Sequence, residues 1–208
     1  MGTEEFVKEH AAKRLEDEQD FLRELSELDD PQCAWQLLSR SALPRGNYWI
    51  RTLPPSLSKA YAAQRDDAIW SSALRILRAE GLPSATQASG RRIAELPAKM
   101  GGLGLRSTER TAPAAYWASW VDALSVIQAK APDFAATIVH ELDRGSLQGA
   151  APCLQEAANG LELLRAQGAT DLPTWSDAAD GIRPPKPEEG TDAADLDRGW
   201  QAGRQVPG

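Results

Sequence analysis

The sequence is short of the residues that build reactive centres. It has two cysteines, Cys33 and Cys153, and two histidines, His10 and His140. Two cysteines cannot form a disulfide framework, and four scattered Cys and His residues spell out no zinc site. No local signature supports a Cys–His nucleophilic pair. Cys33 lies in an apolar helical pattern and reads as a small core residue. No run of about 18 apolar residues occurs, so no membrane-spanning helix is expected. The first twenty residues carry Glu4, Glu5, Lys8, Glu9, Lys13, Arg14 and Glu16, which leaves no apolar stretch for a signal peptide. The expectation is a soluble chain in a reducing, intracellular compartment, with nothing to choose between nucleus and cytoplasm.

Period-two alternation and internal repeats are missing as well, so no strand is expected. What is present is helical. With 208 residues, 42% of them hydrophobic, the chain is long enough for a domain with a real core plus a tail. The spacing of Ala11, Leu15, Leu22, Leu25 and Leu28, with Phe6 or Val7 upstream, predicts an amphipathic helix over 4–28. Asp30-Pro31 predicts the start of a second helix, running to about Ser41 with Cys33, Ala34, Leu37 and Leu38 on its apolar face. Leu43-Pro44-Arg45-Gly46-Asn47 reads as a break. A third helix is expected over 57–79, capped by Ser56 and ended by Gly81 and Pro83. Residues 83–92 read as a polar loop. Ser107 can cap a fourth helix over 108–130, with Ala115, Tyr116, Ser119, Ala123, Leu124 and Ile127 buried and Trp117 and Trp120 packing. A fifth helix carries Phe134, Ile138 and Leu142 up to Gly145, and a sixth runs through Leu154 and Leu161 to Gly168.

The fold class is therefore all-α, an irregular bundle of about five or six helices. The expected organisation is an acidic amphipathic helix over 1–30, a helical core over 31–130 and additional helices over 131–168. Residues 169–208 read as a Pro/Gly/acid-rich linker or disordered tail.

The net charge of −7 hides a segregated pattern. Residues 1–35 hold 4 Lys/Arg against 11 Asp/Glu, residues 36–110 hold 12 against 5, and residues 111–208 hold 7 against 14. A basic middle of this size can be a polyanion footprint, a solvated face, or a partner for the acidic flanks. Inside it lies Leu96–Ser107, "LPAKMGGLGLRS". It is not a P-loop, because Lys99 precedes the glycines instead of following them. It is not a dinucleotide fingerprint, because no third glycine follows Gly102-Leu103-Gly104 and no apolar strand precedes them. A structural tight turn at Gly101, Gly102 and Gly104 remains, as does an anion nest at the start of the fourth helix, helped by Arg106 and Arg110.

Two double aspartates, Asp29-Asp30 and Asp66-Asp67, could in principle hold divalent metals for nucleotidyl transfer. Such a pair sits at a tight hairpin with an aromatic two residues ahead, whereas Glu27-Leu28 and Gln64-Arg65 precede these. The first pair is a helix start and the second lies mid-helix, so no metal site or cofactor is expected. Tyr48 and Trp49 stand beside Arg45 and Arg51, an interleaving that could stack on bases or hold a nucleic-acid backbone, although tryptophan is more often core.

Taken in order, Cys33, Leu43-Pro44-Arg45, Ile50-Arg51, Pro54-Pro55, Asp66, Asp67, Leu96-Pro97, Gly101–Leu105, Ser107 and Ala114–Ser119 resemble a known pattern. It is the region downstream of the polymerase core in non-LTR retrotransposon reverse transcriptases, RNA-directed DNA polymerases of the type that also carry a restriction-like endonuclease. The resemblance covers about residues 20–128 and is specific by order and spacing. The tail, with "RGWQ" at Arg198–Gln201, resembles the spacer that follows this region in some such elements. In the family, the aromatic-x-Asp-Asp metal site lies upstream and uses Mg, and a Cys/His segment and the endonuclease lie downstream. The resemblance implies a retroelement fragment that keeps the helical thumb and connector, has no catalytic residue or metal site of its own, and cannot polymerise DNA alone. Its implied partners are the RNA/DNA template–primer duplex and the missing polymerase core, with no membrane or small-molecule substrate. The residues expected to meet the nucleic-acid backbone are Arg45, Arg51, Arg91, Arg92, Lys99, Arg106 and Arg110. The rival reading is a helical protein-interaction module whose acidic helix docks in a partner's groove.

Overall fold

The computed structural model describes residues 4–143 and 151–184. Among them every regular element is helical: α1 (Glu4–Ser26), α2 (Pro31–Leu37), α3 (Leu43–Thr52), α4 (Pro55–Ile76), α5 (Ser84–Ala94), α6 (Thr108–Lys130), α7 (Pro132–Asp143), α8 (Pro152–Ala166) and α9 (Trp175–Ala179). There are thus more helices than the five or six expected. The chain divides into two compact units. The first comprises the residues up to Trp49 together with Leu57–Arg110, and the second comprises Ile50–Ser56 with the described residues from Thr111 onward. The expected 31–130 segment contributes to both.

Several start signals operate as the sequence suggests. The Asp30 side chain accepts from the N–H groups of Gln32 (2.8 Å) and Cys33 (3.2 Å), and Pro31 occupies the first turn of α2, where its missing N–H costs nothing. Ser107 accepts from the Arg110 N–H at 3.1 Å and so caps α6.

The expected break at Leu43–Asn47 is absent. One π-turn over Leu38–Ala42 carries α2 directly into α3. Pro44 has no N–H to give, and the wider turn lets the chain pass it without ending the helix. Two carbonyls at this point, those of Ala42 and Leu43, accept from the guanidinium of Arg65 on α4. A side chain on Gly46 would stand 2.9 Å from the Arg65 Cζ, so glycine is what lets that guanidinium lie against the helix.

Arg65 is 1% exposed and its main partner is Glu18 on α1, 3% exposed, with Nε 2.7 Å from Oε2. Tyr61 donates its hydroxyl to the other Glu18 oxygen at 2.9 Å, and Arg65 Nη1 donates to Thr108 Oγ1 at 2.9 Å. Glu18 sits within the buried stripe Ala11, Leu15, Leu22, Leu25, so the charge falls on the face that must be buried. Ala11 and Leu15 cluster with Tyr61, and Ser72 donates to the Leu22 carbonyl, so α1 and α4 run in the same direction. Much of the apolar core around this network is small: Ala34, Ala42, Ala73 and Ala94 pack with Leu22, Leu25, Leu38 and Ile69. Cys33 is exposed, not a core residue, because the side that turns inward carries Ala34 of α2 and Leu38 of the π-turn that follows.

Two further boundaries differ from expectation. The segment expected to be a polar loop is α5. It is held by the Arg91–Asp67 ion pair (2.6 Å), by Gly90 close to the Trp70 ring, and by Gln87, which donates to the Glu80 and Leu82 carbonyls. Only Ala94 of this helix is buried, which is why no apolar period announces it. Helix α4 ends at Ile76, short of the expected 79: Arg78 takes the left-handed conformation (φ 54°) and Ala79 donates to the Leu74 carbonyl at 2.8 Å.

In the second unit α6 is buried on nearly all sides between Thr111 and Ala118, including Trp117. Helix α8 meets it at Gly160, where a side chain would stand 2.6 Å from the Pro113 carbonyl oxygen. Residues 169–184 are folded and are not a tail. Thr174 and Asp177 form a capping box for α9, and Trp175, Ala178 and Ala179 enter the core. The remainder of the expected tail, with Arg198–Gln201, lies outside the described residues, as does Gly145.

Two expected outcomes test the buried network. Glu18→Gln leaves the Arg65 charge buried without its counter-ion and should destabilise the protein by about 3–5 kcal/mol in urea unfolding, far more than the same change at an exposed α1 position such as Glu16. Burial, then the nearby Glu18 carboxylate, raises the Tyr61 hydroxyl well above its ordinary value of 10.0. Above that pH an unfolded tyrosine releases its proton while Tyr61 keeps it, so the unfolded state binds fewer protons and stability falls as pH rises. Tyr61→Phe removes this contribution. Its urea midpoint should therefore decline less steeply than wild type above about pH 10, by up to about 1.4 kcal/mol per pH unit.

Candidate nucleic-acid interface

The glycine turn is closed on itself. A 3₁₀ turn over Ala98–Met100 leads into Gly101 (φ 79°), and Gly104 has φ 69°, conformations that favour glycine. Gly102 is constrained differently, since a side chain there would meet the Leu96 carbonyl oxygen at 2.0 Å. The N–H groups of Gly101, Gly102, Leu103, Gly104, Leu105 and Arg106 all donate to carbonyls within residues 94–104. At the start of α6, where an anion nest was conceivable, the Asp66 carboxylate already sits. It accepts from Thr108 N (2.7 Å), Glu109 N (3.1 Å) and the Ser107 hydroxyl (2.7 Å). The protein's own carboxylate fills the place a phosphate would take.

Asp66-Asp67 does not fit a metal pair for the same reason. Asp66 is committed to these three donors and Asp67 to Arg91. Among the described residues no three His, Cys, Asp or Glu side chains gather as a metal site, and no helix is long and apolar enough to cross a membrane.

Several of the seven cations expected to meet a backbone are paired with carboxylates. Arg51 belongs to the second unit, where it pairs with Asp122 at 2.8 Å. Arg91 pairs with Asp67, and Arg91 and Arg110 both reach Glu95 at 3.5 Å. Arg106 is half-buried beside Asp66, Arg91 and Glu95, and burial holds its guanidinium below the usual arginine value. Arg92 and Lys99 are exposed. Much of the basic middle is therefore engaged with carboxylates, some within the segment and some in the flanks.

Arg45 is placed otherwise. It lines an open cleft of about 460 Å³ in the first unit. Helix α3 contributes Arg45, Tyr48 and Trp49, and α1 contributes His10, Lys13, Arg14 and Asp17. The Arg45 guanidinium lies 4.0 Å from the centre of the Phe21 ring, a cation–π contact that fixes its direction. Trp49 packs between His10 (5.4 Å between ring centres) and Tyr61 (5.6 Å), and Phe6 stacks on His10 at 6.0 Å. The wall of the cleft is thus braced against the buried network through Tyr61. Tyr48 is 71% exposed.

The α3 half of this cleft is legible in the sequence and the α1 half is not, because α1 is acidic overall. The signal was there in the spacing: positions 10, 13, 14 and 17 share one helical face, so His10, Lys13 and Arg14 lie together although carboxylates outnumber them along the helix.

No protein-family model, curated protein or solved structure matches this chain.

The glycine turn yields a paired prediction. Gly102→Ala drives a methyl group into the Leu96 carbonyl and should unfold the turn, lowering the urea midpoint by the equivalent of at least about 3 kcal/mol. Gly101→Ala, which meets no neighbouring atom and only strains a positive φ, should cost about 1 kcal/mol.

Proposed function

We propose that this chain is a nucleic-acid-backbone-binding helical module. In this reading it resembles the thumb and connector beyond the polymerase core of non-LTR retrotransposon reverse transcriptases, and has no polymerase activity of its own. The observation that carries the reading is the cleft that collects Lys13, Arg14 and Arg45 beside Tyr48 and Trp49. Lys13 and Arg45 beside an open concavity, with Arg14 that also meets the buried Glu18 carboxylate at 3.4 Å, suit successive phosphates, and the set includes Arg45 of the Leu43-Pro44-Arg45 motif. The order and spacing of the motifs over about residues 20–128 support the same reading.

The rival, a protein-interaction module built on the acidic helix, has less behind it. The apolar stripe of α1 that would enter a partner's groove is spent on α2 and α4, with Leu15, Leu22 and Leu25 all buried.

The test is a titration of the full chain against an RNA–DNA duplex at about 50 and 200 mM salt. Three phosphate contacts predict roughly a 40-fold loss of affinity between the two. Lys13→Glu combined with Arg45→Glu should abolish low-salt binding, whereas the same reversal at Arg51 and Arg91 should matter much less. Binding that is absent at low salt, or indifferent to salt and to the first pair of reversals, would remove the reading. DNA synthesis by this chain alone would remove the fragment assignment.

A further inference from the structure

Histidine is the side chain whose charge changes near neutral pH, and one, His10, lines the cleft. It shares the concavity with Lys13, Arg14 and Asp17 of α1 and with Arg45, Tyr48 and Trp49 of α3. Lys13 and Arg14 stand three and four positions after it, on the same helical face. Its ring is packed against two others. Phe6 stacks on it with the planes 7° apart, and the Trp49 ring lies 5.4 Å away between centres. Trp49 rests in turn on Tyr61, whose hydroxyl is bonded to the buried Glu18. The imidazole is therefore braced in the wall of the cleft. A stacked contact engages the face of an imidazole and leaves its two nitrogens, which lie on the edge, for other partners.

The charge on that ring depends on what faces it. From α1, Lys13 and Arg14 oppose a further positive charge and Asp17 favours one. From α3, Arg45 opposes it, and the indole of Trp49 favours a neighbouring cation. Tyrosine hydroxyls, at Tyr48 on α3 and Tyr61 on α4, stay neutral near neutral pH, and Glu18 behind Tyr61 is taken up by Arg65. A phosphate seated on Lys13, Arg14 and Arg45 offsets the opposing charges and adds a negative one beside the imidazole. Phosphate and proton therefore each favour the binding of the other, by the same factor. We infer that His10 is a fourth phosphate contact of the cleft, made when its ring carries a proton, so that the module holds a nucleic-acid backbone more tightly as the pH falls from about 8 to about 5.5. This rests on the backbone-binding reading and assigns the regulation of that site.

The test is fluorescence anisotropy of the full chain with an RNA–DNA duplex, at about pH 8 and about pH 5.5, each over a range of salt concentrations. Phosphodiesters keep their charge over that interval. The chain has one other histidine, His140, which stands in the second unit 3.9 Å from Glu141 and serves as the control. At about 50 mM salt the expected result is roughly 3- to 15-fold tighter binding at the lower pH, with a salt slope steeper by about one. His10→Gln should bind at both pH values as wild type does at the higher one. His10→Lys, a permanent cation, should bind at the higher pH about as tightly as wild type at the lower one. His140→Gln should keep the full response. Thermal melts of the His10 variants should stay close to wild type, since the side chain is exposed. A pH response that survives His10→Gln, or a salt slope that does not change with pH, overturns the inference and leaves backbone binding standing. No binding at either pH in low salt overturns both.

Discussion

The buried pair of Glu18 and Arg65 is the constraint around which the first unit is organised. Two charges removed from water must find each other and must also satisfy their remaining donors and acceptors. Here that requirement brings α1 alongside α4, brings the Ala42 and Leu43 carbonyls within reach of a guanidinium, and asks for Gly46 where any side chain would collide. Thr108 and Tyr61 complete the set. The next residue, Asp66, collects the first N–H groups of α6. Two consecutive side chains of one helix thereby fix the positions of α1, the start of α3 and the first turn of α6. The small apolar core makes this polar arrangement matter more, because alanines bring helices close while removing little surface from water.

The same arrangement redistributes charge. Segregation along the sequence suggests a broad basic surface, but in space many of those cations face carboxylates. Arg65 meets Glu18, Arg91 meets Asp67, and Arg110 reaches Glu95. Positive charge beside an open concavity is concentrated where α1 and α3 face each other, and two of its three Lys/Arg side chains, Lys13 and Arg14, come from a helix whose overall charge is negative. The glycine turn, the sequence's most conspicuous motif, ends up as architecture. Its N–H groups are consumed locally, and the helix N-terminus beyond it is occupied by Asp66.

Helices with a clean apolar period were legible: α1, α6, α7 and α8 lie within a few residues of where the spacing of leucines, isoleucines and alanines puts them. Helices without one were not. Helix α5 buries a single alanine and is held by an ion pair and a glycine beside a tryptophan, none of which leaves a periodic trace. Helix α9 is too short for a period, and its evidence is a capping box and one buried tryptophan inside a segment whose composition reads as tail. Pro44 reads locally as a break, and only a π-turn backed by an arginine from another helix carries the chain through it.

The sequence by itself determined the all-helical class, the capped starts at Asp30 and Ser107, and the aromatic–arginine cluster at Arg45, Tyr48 and Trp49. Each of these follows from local rules, the 3.6-residue period and hydrogen bonds between neighbours in the chain. Only the tertiary structure decided which carboxylate each arginine meets, that Asp66 takes the place of an external anion, and that His10, Lys13 and Arg14 complete the cleft. Those outcomes depend on pairings between residues tens of positions apart, and the energy of a buried charge or a filled cap is set by the partner it meets rather than by the residues beside it.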